Sequence, residues 1–321
     1  MKNKFIAVAA CAAVCSAFAL ACFAGCGGGG NSTEKQEEDA VDVFIFMGQS
    51  NMSGYGNTAE AIPCEEGHGY EFRAVSGNDE DGWLYPIEEP FGKTENNEII
   101  SDQRTGSMVS AFCESYYQNT GMPVVAVSAS ISGSSITKWL PGELNTAYDE
   151  AARRLNACLD YLETQTEYQV RHIGMVWCQG ETDAYSEEYS GFGYCDKLTT
   201  LYQSLNRDAG VENCFVITPS MYTDGSVIEH KRKLIEKQVA LCEESEQFVL
   251  VSRKFENVPS NLREDPHFVQ GVYNVCGWEA GRNAAMFFEA DTEMICGTYT
   301  EGEAEELAAQ FGITITYSRY A

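Results

Sequence analysis

A chain of 321 residues has room for one large domain or two small ones. Its 44% hydrophobic and 12% aromatic content excludes a disordered chain and supplies a packed core. A formal net charge of -27 argues against nucleic acid and anionic lipid head groups as partners, because so acidic a surface repels polyanions; it does not choose among sugars, esters and cations.

Lys2 and Lys4 precede an apolar stretch rich in Ala and Val that ends in Phe23-Ala24-Gly25-Cys26. A basic start, an apolar middle and small residues at the end are the pattern of a secretory signal peptide. The end resembles a bacterial lipobox, which makes Cys26 the expected lipidation site. A plain secreted protein cleaved nearby is the alternative. Residues 27–40 then read as a flexible polar tether, with four glycines followed by NSTEKQEED. The expected organisation is a lipoprotein signal peptide over 1–26, the tether over 27–40, a folded domain over 41–290 and a C-terminal extension over 291–321. No other stretch is apolar enough to span a bilayer, so the protein is expected at the cell surface, meeting the membrane only through its lipid.

The apolar run Val43 to Met47, closed by Gly48-Gln49-Ser50, reads as a buried strand of a parallel sheet. Ligands bind just past the carboxyl ends of such strands, which is where Ser50 falls. On this stretch alone Gly-Gln-Ser-Asn reads better as a plain turn, since Gly, Ser and Asn are common turn formers. Residues 55–105, with Pro63, Pro86, Pro90 and acidic clusters, read as a long irregular loop. Trp83, Tyr85 and Phe91 within it either offer a face to a sugar ring or pin the loop to the core. A helix is expected from about 108, ended by Gly121, and PVVAVSAS at 123–130 is the second strand. Residues 146–164 form an amphipathic helix, and HIGMVWC opens a third strand and its loop at 172–184. Helices over 187–208, 227–245 and 269–289 alternate with strands at 213–220 and 247–252. That alternation predicts an α/β domain with a mainly parallel five-stranded sheet covered on both faces. The last residues hold a helical patch and an ITITYS run that adds an edge strand at most.

Four of the 13 cysteines lie in the signal region, and the other nine show no CxxC pair, so a metal site is poorly supported. Cys113, Cys158, Cys178 and Cys214 read as small buried hydrophobes. Three loops carry chemistry beside Ser50. Ser132-Gly133-Ser134-Ser135-Ile136 brings a glycine N–H that can meet an oxyanion. Trp177-Cys178-Gln179-Gly180-Glu181-Thr182-Asp183 brings a side-chain amide at Gln179. Glu264-Asp265-Pro266-His267 sets carboxylates beside a histidine that can act as general base. Of the other histidines, His230 reads as solvated, His172 opens a strand and His68 lies in the acidic loop.

GQSNM at 48–52, Ser-Gly-Ser-Ser-Ile with Trp139, WxQGExD at 177–183 and an acid before His267 together resemble the sialate O-acetylesterase domain, a group of the SGNH hydrolases that includes carbohydrate esterase family 6. The resemblance spans about residues 42–289. It implies a flavodoxin-like three-layer α/β/α sandwich and a serine esterase acting on acetylated carbohydrate, with no metal or organic cofactor. Ser50 matches the nucleophile and His267 the base. The third member is Asp265 or Glu264: the family places it three residues before the histidine, which is Glu264 here, and some relatives use a backbone carbonyl instead. The Ser50 N–H, the Gly133 N–H and the Gln179 amide match the oxyanion donors, although relatives often show two glycines at 132–133. Gln49, Asn51 and Glu181 are supporting residues. A catalytically silent carbohydrate-binding lipoprotein and an SGNH lipase or thioesterase are the alternatives.

Overall fold

The computed structural model describes residues 39–74, 83–142, 146–185, 192–221, 227–264, 266–289 and 294–310. Seven strands form the central sheet: β1 (Ala40–Gly48), β2 (Gly69–Phe72), β3 (Leu84–Pro86), β4 (Val124–Ser130), β5 (Gln169–Cys178), β6 (Asn213–Ile217) and β7 (Phe248–Ser252). Their order is β3-β2-β4-β1-β5-β6-β7, and every neighbouring pair is parallel except β2 with β3. The five strands expected from sequence run 2-1-3-4-5 across the sheet in their own chain order, the flavodoxin-like doubly wound arrangement.

Every residue of β1 is buried, because it lies at the centre with a layer on each face. Val41, Val43, Ile45 and Met47 point into a core closed by α3 (Ala147–Gln165), α4 (Phe192–Ala209) and Leu234 of α5 (Ile228–Glu244). Phe44 and Phe46 point the other way, into a core closed by α2 (Val109–Thr120) and α6 (Gln270–Glu289). The two-residue period of the strand thus divides one sequence between two helical layers. The result is a three-layer α/β/α sandwich.

The segment 55–105 departs from the irregular loop expected of it. It adds β2 and β3 beyond β4, widening the sheet from five strands to seven. Runs of four and three residues are too short to show a period. Phe91 is buried with its ring edge-on to Phe46 at 5.7 Å, and Trp83 packs on Phe72 and stacks on Tyr161. These two aromatics pin the segment to the body of the domain. Residues 187–191 of the helix expected over 187–208 and the ITITYS run lie outside the described residues. Before α7 (Glu301–Gln310), Tyr299 enters the α2/α6 core, and Arg282 and Asn283 both donate to the Ile295 carbonyl, at 3.0 and 2.9 Å. Cys113, Cys158, Cys178 and Cys214 are fully buried thiols, as expected. No described helix is long and apolar enough to cross a membrane.

Candidate active site

The carboxyl ends of β1 and β4 to β6 open onto a cavity of about 680 Å³ lined by Ser50, Gly133, Glu181 and His267. Gly48 makes the turn at the end of β1 with φ +143°, and a Cβ there would stand 2.0 Å from the Cys178 carbonyl oxygen of β5. Only glycine lets the chain turn this close to its neighbour. The Gln49 N–H donates to that same Cys178 carbonyl at 3.1 Å, and Ser50 begins the single turn α1 (Ser50–Ser53). The N–H groups of Met52 and Ser53 donate back to the Gln49 carbonyl. The Ser50 N–H has no acceptor among the described residues, as the opening N–H groups of a helical turn do not.

After β4, the Ile131 N–H donates to the Gly48 carbonyl at 3.0 Å, which ties this second loop to the first. The Ser132 N–H is taken by Asp102 at 2.6 Å. Gly133 follows in the left-handed region, φ +65°, and its N–H has no acceptor among the described residues. Two backbone donors, on Ser50 and Gly133, are therefore left for a ligand in one cavity.

Gln179 departs from the role expected of it. It is fully buried and does not line the cavity. Its amide donates to the Ser134 carbonyl at 2.8 Å and to the Asp183 carboxylate, which uses both hydrogens, while its oxygen accepts from the Tyr194 hydroxyl at 2.9 Å. An amide spent this way braces the second loop against the third and has no donor left for an oxyanion. Asp183 completes the brace by accepting the Ile136 N–H at 2.9 Å, and burial pushes its carboxyl above the ordinary value.

The supporting residues knit the first loop to the third. Glu181 accepts from the Asn51 amide at 2.8 Å and from the Ser220 N–H at 2.9 Å. Asn51 in turn accepts from the Tyr273 hydroxyl at 3.0 Å. The Gln49 side-chain oxygen accepts the N–H groups of Gly180 and Thr182, at 3.4 Å each.

His267 lies in β9 (His267–Phe268), half-buried, with its ring stacked on Tyr55 at 3.9 Å and 12°. Glu264 of β8 (Arg263–Glu264) is its cross-strand partner; the Glu264 side chain is exposed and makes no hydrogen bond to the imidazole. Asp265 lies outside the described residues. Ser50 and His267 face the same cavity, and no hydrogen bond joins them in this structure. Catalytic pairs often tighten only when substrate arrives. Four lining residues carried no signal in the sequence: Tyr55, Ser220, Tyr185 and Lys231. Lys231 is only 3% exposed, and Tyr185 is 61% exposed.

The sequence over residues 40–265 matches the family described as carbohydrate esterase, sialic acid-specific acetylesterase. The chain belongs to that family. In this acetylesterase family member the match covers the Ser50, Gly133 and Glu181 loops and ends just before His267. Two solved structures share the fold. A protein from Arabidopsis thaliana is 18% identical with a TM-score of 0.56, over 77% of this chain and 98% of its own. NanS is 12% identical with a TM-score of 0.55, over 79% of this chain and 99% of its own. No curated protein matches the chain. Family and geometry together give an esterase fold suited to carbohydrate O-deacetylation.

Proposed function

We propose that this acetylesterase family member is a serine esterase that removes O-acetyl groups from an acidic sugar, sialic acid first among them, through an acyl-enzyme. The observation that carries the reading is the meeting, in one cavity, of Ser50, His267 and two backbone N–H groups that have no acceptor among the described residues. His267 takes the proton of the Ser50 hydroxyl as its oxygen attacks the acetyl carbonyl carbon. The Ser50 and Gly133 N–H groups face the oxyanion that develops. His267 returns the proton to the departing sugar oxygen, then draws a proton from the water that releases acetate. The family's description as a sialic acid-specific acetylesterase supports an acidic sugar. Tyr185 at the mouth offers an exposed face for the ring. Export and lipid attachment at Cys26 belong to the same proposal.

A binding protein on this fold is the second reading, favoured by the engagement of the Gln179 amide in internal bonds. Acetate release from acetylated sialic acids and acetylated xylan separates the two. Ser50→Ala is expected to lower kcat by on the order of 10³-fold or more. Glycan binding without acetate release in the wild-type protein would establish the second reading.

A further inference from the structure

We propose that Tyr55 is a positioning residue that holds the His267 imidazole for proton transfer with Ser50, and that Asp102 locks Tyr55 and the Gly133 loop into one unit. This rests on the reading of His267 as the general base.

Tyr55 has little freedom of its own. On one side of it the Gly54 carbonyl accepts the Thr105 N–H at 3.0 Å; on the other, Gly56 and Gly106 exchange two bonds of 2.9 Å. Its hydroxyl donates to Asp102 Oδ1 at 3.1 Å and lies 2.8 Å from the Ser132 hydroxyl. Burial, and the nearby Asp102 carboxylate, push the phenol above its ordinary value, so it stays a donor at neutral pH. With backbone and tip both fixed, the ring is a rigid shelf. The imidazole on that shelf can turn in its own plane but cannot tilt away from it, which narrows the search for the geometry that proton transfer requires. The negative face of the ring also favours the imidazolium formed once the proton is taken.

Asp102 does more than hold the phenol. Its other oxygen accepts the Ser132 N–H at 2.6 Å and the Ser53 hydroxyl of α1. Asp102 is itself fixed by Asn96, which donates to its carbonyl at 2.8 Å and accepts its N–H at 3.2 Å. Behind it Arg104, pushed down to about 10 chiefly by burial, donates to the Ser130 hydroxyl and carbonyl at 2.9 Å each. One carboxylate from the 55–105 segment thus touches the turn that carries Ser50, the loop that carries the Gly133 N–H and the shelf under His267. Among the described residues, the ionisable groups sharing the cavity wall or the ladder with His267 are Tyr55, Tyr185, Glu181 and Lys231 in the wall and Glu264 across the β8–β9 ladder; in sequence Asp265 precedes it by two residues.

The test measures kcat, KM and the pH profile of kcat/KM with p-nitrophenyl acetate on the full chain, beside melting curves. Tyr55→Leu is expected to lower kcat by roughly 10- to 100-fold with little change in KM, and to move the acid limb about half a pH unit lower as the imidazolium loses its aromatic face. Tyr55→Phe keeps the face and is expected to recover most of the loss with the acid limb unmoved. Asp102→Asn is expected to fall at least as far as Tyr55→Leu, because an amide N–H would then meet donor groups. Wild-type kcat and an unmoved acid limb in folded Tyr55→Leu would overturn the proposal. Should Tyr55→Leu not fold, Tyr55→Met fills the space without an aromatic face and is judged by the same two readouts. Ser50→Ala and His267→Ala are run alongside. Activity in either of these overturns the reading of the site itself, and their inactivity beside a fully active Tyr55→Leu overturns only the role of Tyr55.

Discussion

Two histidines of this protein lie flat on tyrosine rings, at opposite ends of the sheet. His267 rests on Tyr55 in the cavity beyond the carboxyl ends of the strands. His68 rests on Tyr117, 3.6 Å away at 13°, just before β2, where its carbonyl accepts the N–H that opens β4. By residue type the second cluster looks the more complete. His68 bonds Glu114 at 2.8 Å, and Cys64 supplies a sulfur whose charge would feel that same carboxylate. Yet burial, with Glu114 and Glu65 adding to it, pushes the Cys64 thiol up to about 12, so no thiolate forms there at neutral pH. Glu114 also takes the Glu65 N–H at 2.9 Å and the Gln118 amide at 2.8 Å. Its bonds tie the 64–68 turn to α2. The His267 end differs in what it leaves open: the Ser50 and Gly133 N–H groups have no acceptor among the described residues, and a cavity stands in front of them. A set of catalytic residue types becomes a site only where donors remain for a ligand.

The largest test of that difference exchanges the two histidines for alanine. His267→Ala is expected to cost on the order of 10³-fold in kcat for an acetyl ester, with the fold intact by circular dichroism. His68→Ala is expected to leave kcat within about twofold and to lower unfolding stability by roughly 1–3 kcal/mol, because a buried carboxylate loses a partner. Loss of turnover in His68→Ala at full stability would mean that the two ends communicate in a way the bonds described above do not provide.

Much of this contrast was legible in the sequence. The five long strands showed as apolar runs closed by glycine or polar loops; Ser50 and Gly133 fell where a parallel sheet places ligands, and His267 stood out by the carboxylates that precede it. What escaped had physical reasons. β2 and β3 are too short for a period, and their place is set by Phe72, Trp83 and Phe91 finding partners far along the chain. Gln179 has the right residue type in the right loop, but only the positions of Ser134, Asp183 and Tyr194 reveal that its amide is fully used. Tyr55 and Asp102 carry no motif, and their pairing spans 47 residues.

A smaller effect sharpens the comparison from the cavity side. Glu181 binds no proton-transfer group directly; it holds Asn51, the neighbour of Ser50, and the Ser220 N–H. Glu181→Ala is expected to lower kcat by about 10- to 100-fold through a loosened Ser50 turn, since a misplacement on the order of 1 Å is costly to an oriented attack. Glu181→Gln can still accept both bonds and is expected to recover most of the rate. Equal losses in the two variants would assign the carboxylate charge a part in the chemistry.

The smallest expected effect is thermodynamic and belongs to the closed cluster. Burial alone would raise the Glu114 carboxyl, but the bonds from Glu65, His68 and Gln118 outweigh it and hold the group below its ordinary value of about 4.3. A carboxyl whose pKa is lower folded than unfolded contributes stability that is fully present above the unfolded value and fades as pH falls through the folded one. Glu150 behaves alike: burial opposes it, but Arg153 and Arg154 hold it down at about 2. A melt of the wild-type protein against pH therefore sums several carboxylates, and the Glu114 share appears only as a difference from Glu114→Gln. That difference is expected to be about 1 kcal/mol near pH 6 and to shrink once pH drops below about 4, with kcat unchanged throughout. A pH-independent difference would show that Glu114 acts by packing alone, and a change in kcat would break the separation between the two ends of the sheet.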